Sequence, residues 1–361
     1  MMLDLRGDLR TLFTQIVDCE SVSGHEEVLA GLVEKALTDL PHLETVRIGN
    51  NLVARTGLGR RERVLVAGHL DTVPVAGNLP SVRETREDGE YLVGRGSCDM
   101  KGGVAVALSL AAQLDSPAKD VTWVFYDCEE IAAQYNGLGR IAAERPELLD
   151  ADLAVLMEPT DGVVEGGCQG TMRFTLHVPG TAAHSARSWT GHNAIHDLAP
   201  ILDILRDWQR RDPLVDVDGL TYHEGLNATM VSGGLAGNVI PPEATIQINY
   251  RYAPDKTAAQ AEASMRALFD GWAMEVLDLS APARPGLDRA LARSFVEKVG
   301  TEPRPKYGWT DVARFSELGT PALNYGPGDP LCAHKADECC RLETLDECRA
   351  ALGGWLAEED S

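Results

Sequence analysis

The sequence has 361 residues, 44% of them hydrophobic and 24% charged, which is enough chain for two domains of ordinary size with a core each. Its formal net charge of −22, from 33 basic and 55 acidic residues, disfavours nucleic acid and anionic membrane as partners. No apolar run reaches the roughly 18–20 residues that span a bilayer, and the eight cysteines show neither a CxxC pair nor the spacing of a secreted disulfide framework, so they read as reduced structural thiols.

The opening stretch MMLDLRGDLRTLFTQIVDCE interleaves acids and bases with apolar residues and lacks a signal-peptide core, so a helix of a cytoplasmic protein is expected. From there to about residue 170 helical and strand patterns alternate. Glu26–Leu40 is helix-periodic, Val64–Ala67 is a short buried strand and Gly102–Leu114 is a helix of small residues. Val121–Tyr126 and Leu153–Met157 read as two more strands. Short apolar strands separated by helices predict an α/β fold with a mostly parallel sheet flanked by helices.

The pattern changes near Thr171, where TMRFTLHV alternates in period two. A helix follows over about Asn193–Arg211, with Leu198, Ile201, Leu202 and Leu205 on one face. Strands are expected near Ala228–Ser232 and Ala244–Tyr252, then a helix Ala258–Phe269 and a strand Ala273–Leu279. That β-α-β-β-α-β order fits a ferredoxin-like α+β unit. The expected organisation is a mixed-sheet domain over 1–170 and 284–361, with an inserted ferredoxin-like domain over 171–283.

Ligands of parallel α/β sheets bind beyond the carboxyl ends of the strands, so the strand ends carry the functional signal. GHLDTVP (68–74) ends one strand in His69 and Asp71; another runs into Asp127, Cys128, Glu129 and Glu130; a third ends at Glu158. GRGSCDMKGG places Asp99 just before a helix, and GPGDPLCAHKADE places His334 in a Gly/Pro loop. Taken singly, each is an ordinary polar strand end. Together, two histidines and three carboxylates exceed one tetrahedral site and suit two cations sharing a carboxylate, roughly 3.5–4 Å apart. Asp71, two residues beyond His69 on an extended chain, points to the same side and is placed to fix the ring's tautomer.

These motifs together resemble the M20 family of co-catalytic metallopeptidases: GHLDTVP, GRGSCDMKGG, CEE, MEPT and AHKADE stand in the family's order. The resemblance implies two divalent ions, zinc or alternatively cobalt, with His69 and Glu158 on one, Glu130 and His334 on the other, and Asp99 between them. It implies Glu129 as general base and the inserted domain as a lid and dimerisation domain, hence a homodimer. His184, in GTAAHSARS, matches a family histidine that reaches the partner subunit's active site to stabilise an oxyanion. Cys128 before Glu129 and Cys98 before Asp99 depart from the common pattern without removing a ligand.

Within the family, EEIAAQYNGLGRI, EGGCQGTMRF and AAHSARSWTGHNAIHDLAPIL are most similar to the branch that hydrolyses N-succinyl-LL-2,6-diaminopimelate, a small substrate with three carboxylates. Asn238 and Arg251 match lid positions that hold substrate carboxylate, and Thr310 and Arg314 are further candidates, Arg being suited to bidentate contact. Gly326 and Gly328 are candidates for lining the pocket through backbone groups. Two alternatives stay open at this point. Another M20 amidohydrolase, an acetylornithine deacetylase or an aminoacylase, shares the metal chemistry; a non-catalytic metal-binding protein of the same fold shares the architecture.

Overall fold

The run VLVA lies in the strand Arg63–His69, whose residues 64–69 are all buried. Such a strand needs hydrogen-bonded neighbours on both edges and cover on both faces. In the computed structural model, which describes residues 2–358, it pairs in parallel with Asp120–Tyr126 on one side and Leu153–Leu156 on the other. Ala322–Asn324 continues the parallel array, and Asn51–Arg55, Glu44–Ile48 and Glu165–Gly166 add antiparallel strands outside it. The sheet is therefore mixed with a parallel centre. The chain visits one neighbour of Arg63–His69 and then the other, which makes the end of that strand a switch point, where crevices open in α/β sheets. His69 is its last residue.

Helices cover this sheet for legible reasons. Leu9–Asp18 starts at Asp8, whose side chain accepts the Thr11 N–H, and buries Leu9, Leu12, Phe13, Ile16 and Val17 at helical spacing. Gly102–Gln113 is built of small and aliphatic residues, and 102–112 are all buried. A Cβ at Gly103 would come within 2.1 Å of the Met157 carbonyl oxygen. Glycine there lets the helix that follows Asp99 lie against the strand end that leads into Glu158. Phe13, Trp123, Phe295, Tyr325 and Trp355 fill the core, each large apolar side chain contributing about 1.5–3 kcal/mol by its burial. No helix among the described residues is long and apolar enough to cross a membrane.

The chain divides into two compact units. The first holds the residues up to Gly166, Gly286–Arg304 and those from Arg314; the second holds Gly167–Pro285 and Pro305–Ala313. In the second, a four-stranded antiparallel sheet has the order Gly225–Gly233, Glu243–Tyr252, Gly170–Pro179, Ala273–Ser280. The period-two run behaves as written, burying Met172, Phe174, Leu176 and Val178 and turning the residues between them outward. Ala199–Arg210 and Ala258–Leu268 pack onto that face through Ile201, Leu205, Ala261 and Met265.

Two local expectations change here. The first of these helices starts at Ala199, after a 3-10 turn His196–Leu198, with Pro200 in its first turn, where a missing N–H costs nothing. Leu202, expected beside Ile201 and Leu205, is 41% exposed.

Candidate metal centre

The first unit brings His69, Asp99, Glu130 and His334 together from four separate segments. His69 Nε2 lies 3.1 Å from Asp99 Oδ1, and His334 Nε2 lies 3.4 Å from Asp99 Oδ2 and 2.9 Å from Glu130 Oε1. The two oxygens of one carboxylate thus face two different imidazoles. His69, Asp99 and Glu130 each offer a donor atom within 4.8 Å of the others. Glu158, two residues beyond Leu153–Leu156, is 5% exposed at the end of the strand next to that of His69.

The turns that carry these groups are themselves held by side chains. Asp71 is fully buried; its Oδ1 accepts the Glu129 N–H at 3.0 Å, and its Oδ2 accepts the Glu130 N–H at 3.1 Å and the Ser23 hydroxyl at 2.7 Å. The His69 ring is oriented less by that carboxylate than by the Asp71 main chain: Nδ1 lies 3.0 Å from the Asp71 carbonyl oxygen and 3.5 Å from Oδ1. Nδ1 is thus engaged by the carbonyl, and Nε2 is the ring nitrogen that faces Asp99. Cys128 and His334 both adopt left-handed backbone, φ 56° and 64°. A non-glycine residue held there costs on the order of 1–3 kcal/mol, the kind of strain that collects at functional turns.

The electrostatics point one way. Burial pushes the Asp99 carboxyl up, yet hydrogen bonds from His334 and His69 hold it well below the ordinary carboxylate range. Hydrogen bonds to Asp99 and Glu130 push the His334 imidazole up to about 10. Glu130 is raised by burial and by the Asp99 charge, despite its hydrogen bond from His334. A cluster of this kind is stabilised by positive charge at its centre. Imidazole nitrogens mixed with carboxylates, one of them spanning two imidazoles, form a donor set suited to borderline divalent cations, and the residues fit a metal centre.

Burial favours the neutral form of the thiols beside the centre. Burial, with Glu26 and Asp127 adding to it, pushes Cys128 up to about 12, and burial with nearby thiol and carboxylate charge raises Cys98 as well.

The other predicted residues fall in distinct places. Glu129 shares the turn with Glu130, its N–H fixed by Asp71. Arg314 reaches the Ala133 carbonyl at 3.4 Å and lines a small cavity of about 140 Å³ with Leu138 and Phe315. The carbonyls of Gly326 and Gly328 are taken by the 160–162 turn, Gly326 accepting the Gly162 N–H and Gly328 the Asp161 N–H. A Cβ at Gly326 would lie 2.5 Å from the Met157 carbonyl oxygen, so close packing already requires a glycine there.

His184, Asn238, Arg251 and Thr310 belong to the second unit. His184 is exposed, caps a 3-10 turn by accepting the Ala186 N–H, and bridges to Val239; the Asn238 carbonyl accepts the next N–H, that of Ser185. Arg251 lies on Glu243–Tyr252 with Nε 3.2 Å from Asn249 Oδ1, and Thr310 is 4% exposed.

Two charged residues went unread in the sequence. Glu338 and Arg95 form a pair, 1% and 3% exposed, with 2.6 Å between Oε2 and Nη1. Glu338 stands inside AHKADE and Arg95 inside GRGSCDMKGG, but nothing in either motif announces that they meet.

Comparison with known proteins agrees with the motifs. Residues 65–358 match the model of Peptidase family M20/M25/M40. The chain belongs to that family. It is 54% identical over 360 residues, 98% of this chain and 100% of the relative, to a Mycobacterium tuberculosis protein provisionally named succinyl-diaminopimelate desuccinylase. It is 45% identical over 369 residues, 99% of this chain and 98% of the relative, to the succinyl-diaminopimelate desuccinylase of Corynebacterium glutamicum. Among solved structures, a Staphylococcus aureus tripeptidase superposes with a TM-score of 0.76 at 20% identity, covering 99% of both chains. The Bacillus subtilis YXEP protein, described as a dinuclear metal-binding peptidase of family M20, gives 0.69 at 16% identity, covering 97% of this chain and 96% of that one.

Proposed function

We propose that this chain is a metal-dependent amidohydrolase that cleaves the amide bond of N-succinyl-LL-2,6-diaminopimelate, giving succinate and LL-2,6-diaminopimelate. The observation that carries the chemistry is the Asp99 carboxylate, one oxygen toward His69 and the other toward His334. The near-full-length similarity to two relatives with this name supports the substrate.

His69 and Glu158 would hold one divalent ion, Glu130 and His334 the other, and Asp99 both; zinc is the first candidate and cobalt the second. Bound there, two such ions supply Lewis acidity and bring the pKa of a water toward about 7. The chain's own residues do the rest. The Glu129 carboxylate takes a proton from the attacking water and returns it to the departing amine nitrogen, so that water and amide become carboxylate and amine. Asp71 fixes the turn from which Glu129 acts. His184 donates a hydrogen bond to the oxyanion, from the partner subunit in a homodimer. Arg251, Asn238, Thr310 and Arg314 are the candidates for holding the substrate carboxylates, and Gly326 and Gly328 the candidates for lining the pocket through backbone groups.

The second unit, in this reading, is a ferredoxin-like lid through which two chains associate. Its β-α-β-β-α-β order supports this, as does the edge strand Gly225–Gly233, which pairs on one side only and leaves 227–233 exposed. Met230 and Val231 on that strand are 65% and 58% exposed.

The experiment is a substrate panel on metal-loaded protein: N-succinyl-LL-2,6-diaminopimelate, N-acetylornithine and a simple dipeptide. A kcat/KM strongly favouring the succinyl compound is the expected result. Preference for N-acetylornithine or the dipeptide would move the substrate within the family and overturn the specific reading.

A further inference from the structure

The buried pair Glu338 and Arg95 has no part in the chemistry above. Taking two charges out of water is expensive, and a well-packed apolar pair would often serve stability as well. What each group holds suggests another reason. Glu338 Oε1 accepts two successive main-chain N–H groups, those of Cys98 and Asp99, both at 3.1 Å. The Glu338 carbonyl accepts the Gly94 N–H at 2.9 Å and the Ser97 hydroxyl at 3.3 Å. Arg95 Nε donates to the Pro74 carbonyl at 3.0 Å, and its Nη1 donates to the Lys335 carbonyl at 3.2 Å. Pro74 closes the segment that carries His69, and Lys335 follows His334. One ion pair therefore ties together three segments of the candidate metal centre.

We infer that Glu338, locked by Arg95, is the positioning residue that presents the Asp99 carboxylate to both cations; the inference rests on Asp99 being shared between two ions. A shared carboxylate must aim both oxygens at once, so it tolerates less displacement than a terminal ligand. Two N–H groups received by one buried oxygen fix the peptide plane before Asp99 and the start of its side chain. Arg95 keeps that oxygen in place because its planar fork meets carboxylate and carbonyls together, a geometry an ammonium does not reproduce.

The test titrates zinc into metal-free wild-type, Glu338→Asp, Glu338→Gln and Arg95→Lys proteins by calorimetry, with circular dichroism to establish that each is folded. Asp keeps the charge and withdraws the oxygen by one methylene; Gln keeps an acceptor in place and loses the charge. The expected result is zinc affinity weakened about 10–100-fold in Glu338→Asp and less in Glu338→Gln, with turnover at limiting zinc restored by excess zinc. A merely structural tie would lower unfolding midpoints and leave the zinc affinity of folded protein unchanged. Folded Glu338→Asp that binds zinc like the wild type overturns the inference. If that variant does not fold, Arg95→Lys decides, with weakened affinity expected and wild-type affinity contradicting. Failure of wild-type protein to bind two ions would sink the two-metal reading itself, and the inference with it.

Discussion

Asp71 holds Glu129 by the main chain: its Oδ1 accepts the Glu129 N–H at 3.0 Å while its Oδ2 accepts the N–H of Glu130 at 3.1 Å. One fully buried carboxylate thereby fixes the two successive residues to which the account gives proton transfer and metal binding. Burial pushes this carboxyl up, yet the neighbouring His69 ring and the hydrogen bonds from Ser23 and the Glu129 amide hold it below the ordinary carboxylate range. Asp71→Ala should fold and retain metal, with kcat lowered about 10–100-fold and KM little changed. Steady-state kinetics beside metal analysis checks this, and an unchanged kcat would remove Asp71 from the machinery.

Glu129→Gln keeps the volume and removes the base. Metal content should match that of wild type while turnover falls by about 10²–10⁴-fold. Wild-type turnover in that variant would assign the proton transfer elsewhere.

The parallel centre of the sheet and the meeting of His69, Asp99, Glu130 and His334 were legible because ligands of this architecture bind beyond the strand ends, and five separate segments ended in His or carboxylate. What was not legible depends on contacts far apart in sequence. That Asp71 would spend its carboxylate on the amides of Glu129 and Glu130, leaving its carbonyl for His69, follows from the fold of a turn nearly sixty residues away. Glu338 and Arg95 are separated by 243 positions, and only the fold makes them a pair. Residues 305–313 pack with the second unit, where the Lys306 carbonyl accepts the Gln169 N–H, a contact no local pattern encodes. The exposed Leu202 shows the limit of helical periodicity, since a pattern gives a face but not its width.

Cys128 should behave as an inert thiol despite its place beside Glu129. Pushed up to about 12, it would be thiolate at pH 8 in a fraction on the order of 10⁻⁴, and only the thiolate is alkylated. Folded protein treated with iodoacetamide at pH 8 should show Cys128 unmodified by peptide mass spectrometry, and modified once unfolded. Labelling of Cys128 in folded protein at the rate of a free thiol would contradict the burial that raises it.

Asp120 ties the start of its strand to the 56–60 loop, accepting the Thr56 hydroxyl at 2.7 Å and the N–H groups of Leu58 at 2.9 Å and Arg60 at 2.8 Å. Burial raises its carboxyl, but these bonds outweigh it and the net shift is downward. A carboxyl lowered on folding contributes stability above its unfolded value, near 3.9, and loses it as pH falls through the lower folded value. Asp120→Asn should therefore cost about 1–3 kcal/mol at pH 7 in urea unfolding, with the gap to wild type narrowing below about pH 4. A gap that widens with acid would reverse the assigned sign.

The most direct test of the central claim is to strip the protein with a chelator, return zinc in measured equivalents, and follow succinate release from N-succinyl-LL-2,6-diaminopimelate. The expected result is a silent metal-free protein whose activity rises until two equivalents are bound, as two cations sharing the Asp99 carboxylate require. Full turnover without metal, or a plateau at one equivalent with no further gain, would contradict it.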